Sequence, residues 1–381
     1  MTFSCATFAY PQLDTGQRGA LARRLGEAEL PGSAFILSTC LRIEIGLDGP
    51  ITDLRDLLSS ALDCDPSKGV VRTGSDAVHH LFRVAAGLES PILGERDVLT
   101  QYRRTVLEAG ESGRMSGPTQ RLLQAGVAAA RRARETLPEI AHDSMAGVAA
   151  NLVEDADQVT VLGNGDMATA IVRSLTLQEM PPKILVLARR PKLIDLPGVT
   201  VWDFDRLAEA LGSHRTIISA TSATSRLLSE EDLLAALESR TESLTLIDMA
   251  MPPDFAPTAT MEINHYDIDD LAAMVDVGAD ATEADAIVHE AALAAFSRYT
   301  GHADVGPVIH SMVADADAVV ERAVRRFAAR LSNDVDEAVL RQTAHTVARA
   351  ILSSPLGFLN DAETEADAVD TIARAFRVAN G

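Results

Sequence analysis

The feature that most constrains the fold is an alternation of apolar runs and helical patterns that starts near residue 158. Val159–Leu162 predicts a short buried strand, and a glycine-containing loop follows it and opens a helix. Strands that alternate with helices indicate a parallel sheet with helices on its faces. The other runs predicted as strands are Lys183–Ala188, Val199–Trp202, Thr216–Thr221 and Leu244–Met249.

The loop after the first of these strands has the spacing of a dinucleotide-binding turn. Its first glycine permits a tight turn, its second lets the main chain approach a pyrophosphate, and its small last residue allows close helix packing. The alternative is a glycine turn without a ligand. The predicted cofactor-binding residues are Gly163, Asn164, Gly165, Asp166, Met167 and Ala168.

The end of the second predicted strand indicates which dinucleotide binds. An acidic residue there would bind a free ribose hydroxyl, but Arg189 and Arg190 stand in its place. Two guanidinium groups suit a 2′-phosphate, which favours NADPH over NADH.

A candidate nucleophile lies near the start of the chain. The stretch Phe35–Ile45 predicts a strand interrupted by Ser38, Thr39, Cys40 and Arg42. Arg42 would share a strand face with Cys40, and a neighbouring cation promotes ionisation of a thiol. The alternative for Cys40 is a small core residue at a strand end.

A nucleophilic cysteine and an NADPH fold in one chain suggest a thioester that is reduced by hydride to an aldehyde, or the reverse reaction. His80, on a predicted helix, is a candidate general acid or base. The alternative is a histidine on the helix surface, since His79 stands beside it.

Composition limits the remaining possibilities. The chain has 381 residues, of which 47% are hydrophobic and 23% charged, so two or three globular domains are expected. The formal net charge of −21 argues against non-specific nucleic-acid binding by the whole surface. Seven arginines between Arg103 and Arg134 nevertheless form either a solvated helix face or a phosphate-contacting surface.

The cysteines and the apolar runs indicate the compartment. Cys5, Cys40 and Cys64 have no disulfide-like or metal-like spacing, so a reducing cytoplasm and no metal site are expected. We see neither a signal peptide nor an apolar run long enough to cross a bilayer, so no membrane partner is expected.

The last third of the chain is predicted to be helical and to serve association. Breaks are expected at Gly301, at Gly306-Pro307, at Ser332-Asn333 and at Pro355. The helices predicted there are Asp285–Tyr299, Ile309–Leu331, Glu337–Leu352 and Glu365–Val378.

Several motifs together resemble the glutamyl-tRNA reductase family. Ser38–Glu44 is similar to the family's Ser-Thr-Cys-Asn-Arg-Thr-Glu motif, and His80–Glu95 to its second signature. Gly163–Ala168 resembles the family's cofactor loop. Leu246–Ala250 and Tyr266–Asp270 resemble later family segments, and the resemblance covers nearly the whole chain in the family's order.

The resemblance implies a three-domain α/β protein. It comprises an N-terminal α/β catalytic domain (residues 1–144), a Rossmann-type NADP-binding domain (145–272) and a C-terminal all-helical dimerisation domain with a spinal helix (273–381). The implied activity is NADPH-dependent reduction of glutamyl-tRNA, bound by its acceptor end, to glutamate-1-semialdehyde. This is a step of tetrapyrrole synthesis, performed by a homodimer that passes its product to an aminomutase.

The resemblance also implies roles for individual residues. Cys40 matches the family's nucleophile and His80 its important histidine. The implied substrate-binding residues are Thr39, Leu41, Arg42, Ser90, Glu95, Arg96, Asp97 and Gln101.

The chain departs from the family pattern at Leu41, at Arg96-Asp97 and in the segment Ala6–Pro11. These departures leave two further hypotheses open. One is a divergent paralogue that reduces another aminoacyl-tRNA or a carrier-bound acyl group. The other is a catalytically silent regulatory dimer.

Overall fold

The structure is a computed structural model. It describes residues 2–111, 115–137, 144–153, 155–191, 196–238, 240, 242–257, 260, 262–275, 280–328, 337–359 and 371–372. The chain forms two compact units, one from residue 2 to residue 293 and one from residue 294 onward. None of the described helices is long and apolar enough to cross a membrane.

The first unit begins with a four-stranded antiparallel sheet in the order β2-β3-β1-β4. Its strands are β1 (Phe3–Ala9), β2 (Ala34–Ser38), β3 (Arg42–Asp48) and β4 (Val70–Thr73). The helices of this part are α1 (Thr15–Glu27), α2 (Ile51–Asp56), α3 (Ser75–Ala86), α4 (Arg96–Glu111) and α5 (Gly117–Arg134).

Alternation along β3 sorts its side chains between two environments. Ile43, Ile45 and Leu47 join the apolar cluster that α1 and α2 cover. Side chains alternate across a strand, so Arg42 and Glu44 point to the opposite face, towards α3. The sheet therefore carries charged groups on one face although every residue from Arg42 to Leu47 is buried.

The predicted single strand Phe35–Ile45 is wrong. The structure has two strands there, β2 and β3, which pair antiparallel with Ser38 opposite Ile43. Thr39 closes the hairpin between them with main-chain and side-chain hydrogen bonds. A turn built by a threonine hydroxyl has the same residue types as an interrupted strand, so the pattern did not distinguish the two.

The second part of the first unit is a six-stranded parallel sheet, as the alternating pattern predicts. Its order β10-β9-β8-β5-β6-β7 is that of a doubly wound Rossmann fold. The strands are β5 (Gln158–Leu162), β6 (Lys183–Ala188), β7 (Val199–Asp203), β8 (Thr216–Ser219), β9 (Leu244–Asp248) and β10 (Ile263–Asp267). The helices are α6 (Met145–Asn151), α7 (Asp166–Thr176), α8 (Leu207–Ser213), α9 (Glu230–Glu238) and α10 (Ile268–Ala273).

The topological switch point of this sheet lies between β5 and β8. All strands run parallel, but β5 to β7 are added towards one edge of the sheet and β8 to β10 towards the other. The loops after β5 and β8 therefore diverge and leave a crevice at the carboxyl ends of these strands. Apolar clusters cover both faces of the sheet, so this crevice is the opening that the fold itself provides.

The C-terminal region is helical, but the predicted breaks are wrong. Helix α11 runs from Thr282 to Ala328 through Gly301 and Gly306-Pro307, and α12 (Glu337–Leu359) contains Pro355. A glycine costs a helix about 1 kcal/mol and a proline about 3 kcal/mol, which long helical neighbours on both sides offset. The predicted break at Ser332-Asn333 and most of the predicted helix Glu365–Val378 lie outside the described residues.

Candidate active site

Cys40 lies at the tip of the β2–β3 hairpin. Thr39 N–H donates to the Arg42 carbonyl at 2.8 Å. The Thr39 hydroxyl accepts from the N–H groups of Leu41 and Arg42 at 3.3 and 3.2 Å. Tyr10 N–H donates to the Leu41 carbonyl at 3.0 Å, which ties the turn to the end of β1. The half-buried, free thiol is therefore presented on a well-bonded turn, and Thr39, a predicted substrate contact, serves that turn.

Leu41 points into the core. Its side chain is 5% exposed and belongs to an apolar cluster with Ile92, Met145 and Met249. An apolar side chain enclosed by others has little free surface for a ligand, so this placement gives no support to a side-chain contact between Leu41 and substrate.

A buried carboxylate organises the charged face of β3. The Oε1 atom of Glu44 lies 3.5 Å from Arg42 Nη1, and both carboxylate oxygens lie 3.1 Å from His80 Nε2. The Thr7 hydroxyl donates to Glu44 at 2.7 Å. Burial acts to raise the pKa of Glu44, but the charges of His80 and Arg42 and these hydrogen bonds outweigh it and hold that pKa below its ordinary value.

These contacts commit His80 and Arg42 to the interior. His80 is 4% exposed, and its Nε2 atom is shared by Glu44 and Thr7. The placement therefore makes His80 an anchor for Glu44 and gives no support to its predicted proton-transfer role. Arg42 donates its other terminal nitrogen to the Glu89 carbonyl.

The predicted pairing of Arg42 with the thiol is wrong, because another arginine supplies the cation. Arg18 Nε donates to the Cys40 carbonyl at 3.2 Å. Burial raises the pKa of the Cys40 thiol to about 12, the charges of Glu95 and Asp97 add to that rise, and the charge of Arg18 opposes it. Without substrate the thiol is therefore protonated at neutral pH.

A tight loop between α3 and α4 brings the Glu95 carboxyl group near the Cys40 thiol. Gly87 has φ +76°, and a Cβ atom on it would lie 2.7 Å from Glu95 N, so only glycine fits. Gly94 N–H donates to the Gly87 carbonyl at 3.0 Å and closes the loop. Inside it, the Ser90 side chain is hydrogen-bonded to the Glu95 carboxyl, so these two predicted residues do come together.

Glu95 titrates near neutral pH. Burial and the charge of Asp97 raise its pKa to about 7, while hydrogen bonds from Met145 N–H and Ser90 and the charge of Arg42 act in the other direction. A carboxyl group that exchanges its proton at neutral pH, with a field that reaches the thiol, is suited to acid–base catalysis.

The first turns of α4 hold the remaining predicted residues. Arg96 is exposed, whereas Asp97 and Gln101 are half-buried and lie four residues apart on one helix face. The Oε1 atom of Gln101 is buried and has no hydrogen-bond partner among the described residues. Such an acceptor is satisfied when a donor of a ligand reaches it.

The glycine loop lines a cleft of about 360 Å³ at the carboxyl ends of β5, β6 and β8. Gly163 has φ +109°, and a Cβ atom there would lie 2.6 Å from the Ala220 carbonyl oxygen. A Cβ atom on Gly165 would meet nothing within 4 Å, because the main chain faces open space. Asn164 Nδ2 donates to the Arg190 carbonyl at 2.7 Å and joins the loop to the end of β6.

The other predicted cofactor residues lie around the same loop. Arg189 and Arg190 are exposed on the rim of the cleft. Ala168 is 1% exposed where α7 packs on the sheet, and Met167 packs against the same cluster. Asp166 points outward and pairs with Arg104 at 3.1 Å. An open glycine main chain at a helix start, with two arginines beside it, fits a dinucleotide that carries a 2′-phosphate.

Sequence reasoning missed Arg18 and the role of Glu44. Glu44 is the last residue of the cysteine motif and stands two residues after Arg42 on one strand. This spacing could have indicated that the two side chains share a face of the sheet. Arg18 carried no such signal, because its carboxylate partner, Asp269, is 251 residues away in the chain.

Family profiles match most of the chain. That of "Glutamyl-tRNAGlu reductase, N-terminal domain" matches residues 11–137, and that of "Shikimate / quinate 5-dehydrogenase" matches residues 147–274. The profile "Glutamyl-tRNAGlu reductase, dimerisation domain" matches residues 283–378.

Individual proteins give the same result. A glutamyl-tRNA reductase of Rubrobacter xylanophilus is 30% identical, over 92% of this chain and 87% of that protein. One of Kineococcus radiotolerans is 30% identical, over 84% of this chain and 78% of that protein. The structure of glutamyl-tRNA reductase from Methanopyrus kandleri matches with a TM-score of 0.40 and 21% identity, over 99% of each chain.

Proposed function

The chain belongs to the glutamyl-tRNA reductase family, and from this premise we propose that it reduces glutamyl-tRNA to glutamate-1-semialdehyde with NADPH, a step of tetrapyrrole synthesis. The observation that carries the proposal is the turn that presents Cys40 within the field of Glu95, in a chain that also has an NADPH cleft. A module that only binds partners would need neither a nucleophilic cysteine nor an NADPH cleft, which argues against a catalytically silent dimer.

The thiol attacks the ester that joins glutamate to the tRNA. The Sγ atom of Cys40 bonds to the carbonyl carbon, the carbon–oxygen bond to the tRNA breaks, and a thioester remains. Glu95, ionised at and above neutral pH, takes the thiol proton and returns a proton to the departing ribose oxygen. NADPH, held by the glycine loop and by Arg189 and Arg190, would supply the hydride that converts the thioester to the aldehyde, with Cys40 as the leaving thiolate.

The acidic groups around the turn match the ammonium end of a glutamyl group. Glu95 and Asp97 suit its ammonium group, and Gln101 Oε1 has an unused acceptor for the same donor. Arg42 is 4% exposed and already paired with Glu44 and the Glu89 carbonyl, so it holds the charged face of β3 together and does not reach the substrate. Because Leu41 is enclosed in the core, its departure from the family pattern supplies little reason to invoke another substrate.

Purified full-length protein, NADPH and glutamyl-tRNA test the proposal. We expect glutamate-1-semialdehyde from glutamyl-tRNA and none from free glutamate. A panel of other aminoacyl-tRNAs, including glutaminyl-tRNA and aspartyl-tRNA, is the control for substrate identity. Faster aldehyde formation from another aminoacyl-tRNA would show that this other tRNA is the substrate. Absence of aldehyde from every aminoacyl-tRNA in the panel would overturn the proposed reductase activity.

Replacing Glu95 by glutamine separates its effect on the pKa of Cys40 from its role as a proton carrier. Loss of its charge lowers the pKa of Cys40, so iodoacetamide alkylates the free enzyme faster at pH 8, by up to about tenfold for each pKa unit. Loss of the proton carrier slows semialdehyde formation by about 10²-fold.

The pH dependence of kcat/KM shows whether Glu95 must be ionised for the reaction. The pKa of Glu95 is about 7, so kcat/KM of the unmodified enzyme should rise from pH 6 and level off by about pH 8 as the carboxyl ionises. In Glu95→Gln, which must react through the free thiolate, kcat/KM should keep rising with pH and show no such plateau. Glu108→Gln, which removes an exposed carboxylate from helix α4, the helix that begins directly after Glu95, is the control. Equal pH profiles in both variants would exclude Glu95 as the proton carrier.

Removing both arginines of the cofactor cleft should weaken NADPH binding selectively. For Arg189→Ser/Arg190→Ser we expect the KM for NADPH to rise about 10- to 100-fold, since a hydrogen bond to a charged group contributes about 1.5–3 kcal/mol. The KM for NADH should stay the same. Arg173→Ser, an exposed arginine at the far end of α7, is the matched control. An equal loss for both coenzymes would remove the arginines from 2′-phosphate recognition.

The tRNA and the second subunit need surfaces of their own. Exposed arginines on α4 and α5 (Arg103, Arg121, Arg131 and Arg132) supply positive charge for a phosphate backbone on an acidic protein. Exposed apolar side chains on α11 and α12, among them Phe327, Val347 and Ile351, suit burial in a homodimer.

The finer parts of the proposal concern organisation and context. The division into residues 1–144, 145–272 and 273–381 lies close to the ranges that the three family profiles match. Three free cysteines favour a reducing cytoplasm. An aldehyde with a neighbouring amino group is reactive, which favours its direct transfer to an aminomutase.

A further inference from the structure

The segment Tyr266–Asp270 is a recognisable motif for which the proposed reaction has no direct use. Two of its carboxylates cap helix α10: Asp267 accepts from the N–H groups of Asp269 and Asp270, and Asp270 accepts from Asp267 N–H. The third carboxylate, Asp269, points away from α10 towards the N-terminal part of the chain, and it therefore has a different role.

Asp269 binds the start of helix α1. Its Oδ2 atom accepts from Thr15 N–H and from the Thr15 hydroxyl, each at 2.8 Å. Its Oδ1 atom lies 2.5 Å from Arg18 Nη2. A carboxylate at the first turn of a helix, paired with a guanidinium one turn further on, holds that helix in both position and rotation.

Arg18 passes this restraint on to the nucleophile. Its side chain is completely buried, and its three nitrogens bind three different partners. Nη2 binds Asp269, Nη1 donates to the Leu13 carbonyl, and Nε donates to the Cys40 carbonyl at 3.2 Å. A planar guanidinium bound on three sides has no freedom to reorient, so the Cys40 carbonyl is fixed relative to α10.

A second contact keeps α1 in the same place. Gly19 faces the loop after β9, and a Cβ atom there would lie 2.7 Å from Pro252 Cα. The helix that carries Arg18 thus lies directly against the part of the chain that binds the cofactor, at two points of different chemistry. Both points belong to the first compact unit.

We propose that Arg18 is the positioning residue of the catalytic turn, and that Asp269 holds it there, so that the nucleophile is aligned with the sheet that binds NADPH. The proposal deepens and rests on the proposed function. It gives the motif Tyr266–Asp270 a role in catalysis that acts through Arg18 and not through contact with substrate.

The charge of Arg18 adds an effect that can be measured without substrate. Among the groups whose fields reach the thiol, Glu95 and Asp97 raise the pKa of Cys40 and Arg18 lowers it. Removing Arg18 should therefore raise that pKa further. Removing Asp269 should not, because the cation stays beside the turn.

The first experiment measures alkylation of Cys40 by iodoacetamide between pH 6 and pH 10 on the free full-length protein, with the modified peptide quantified by mass spectrometry. At pH 8 we expect Arg18→Gln to react about tenfold more slowly, which corresponds to a rise of about one pKa unit. Arg18→Lys should lie between Arg18→Gln and the unmodified protein. Asp269→Asn should react no more slowly than the unmodified protein.

The second experiment measures turnover with glutamyl-tRNA and NADPH. We expect Asp269→Asn and Arg18→Lys to lower kcat by about tenfold, with both KM values within about twofold, since orientation of the nucleophile affects the reaction more than binding. The matched control is Asp270→Asn, which removes a neighbouring carboxylate that accepts a hydrogen bond from Asp267 N–H at the start of α10. Its kcat should stay within about twofold.

Two results would overturn the inference. One is an unchanged alkylation profile in Arg18→Gln, and the other is an equal loss of kcat in Asp269→Asn and Asp270→Asn. If Arg18→Gln does not fold, Arg18→Gln/Asp269→Asn removes both buried charges together and should show the same slow alkylation. The alkylation experiment uses no tRNA, so it decides the inference even if the enzyme proves to act on another substrate.

Discussion

Replacing Cys40 by serine is expected to lower semialdehyde formation by at least about 10³-fold. A serine hydroxyl is a far weaker nucleophile than a thiol and a weaker acid, so proton transfer from it to Glu95 is less favourable than proton transfer from the thiol. The KM for NADPH should be unchanged, because the cofactor loop follows β5 in the parallel sheet and not the hairpin that carries Cys40. Steady-state kinetics with glutamyl-tRNA measure both quantities.

Cys64→Ser is the matched control for this substitution. Cys64 is also a free thiol, but it lies 9% exposed in the apolar cluster under α1 and α2. Its replacement should leave kcat unchanged. In a parallel experiment without NADPH, radiolabelled glutamate from glutamyl-tRNA should stay covalently bound to the unmodified protein and to Cys64→Ser, but not to Cys40→Ser. Label retained by Cys40→Ser would remove Cys40 from the mechanism.

The parallel sheet and its glycine loop were predictable because their signals are local. Each buried strand is a continuous apolar run, and Gly163 and Gly165 sit where a strand changes into a helix. The sheet order and the dehydrogenase-type profile confirm the predicted fold class and cofactor. The hairpin at Cys40 was missed because Thr39 builds a turn from residues that also suit a strand.

The partners of buried charges could not be read from the sequence. Arg42 is two residues from Cys40, yet its guanidinium binds Glu44 and the Glu89 carbonyl. The cation beside the thiol comes from helix α1, and the pairing of Arg18 with Asp269 depends on how two sheets pack together. Such contacts depend on three-dimensional packing and have no periodicity in the chain.

Replacing Glu44 by leucine is expected to destabilise the antiparallel sheet by about 3–5 kcal/mol, because the change leaves the buried charge of Arg42 without its carboxylate. His80 and Thr7 lose their shared acceptor at the same time. Hydrogen exchange of the amides in β1 and β3 is the suitable measurement. It reports local opening in a multidomain chain, whose unfolding does not follow two states.

The effect of Glu44 should depend on pH in one direction. Its pKa is held below the ordinary value of 4.5, so its contribution to stability is complete above that value and is lost as the pH falls through the pKa of the folded state. The difference in protection between the unmodified protein and Glu44→Leu should therefore be largest at neutral pH and shrink below about pH 4.5. Glu209→Gln, which breaks an exposed pair with Arg206, should change protection by less than about 0.5 kcal/mol. A Glu44→Leu protein as well protected at pH 7 as the unmodified one would mean that Arg42 and His80 are held in place without this carboxylate.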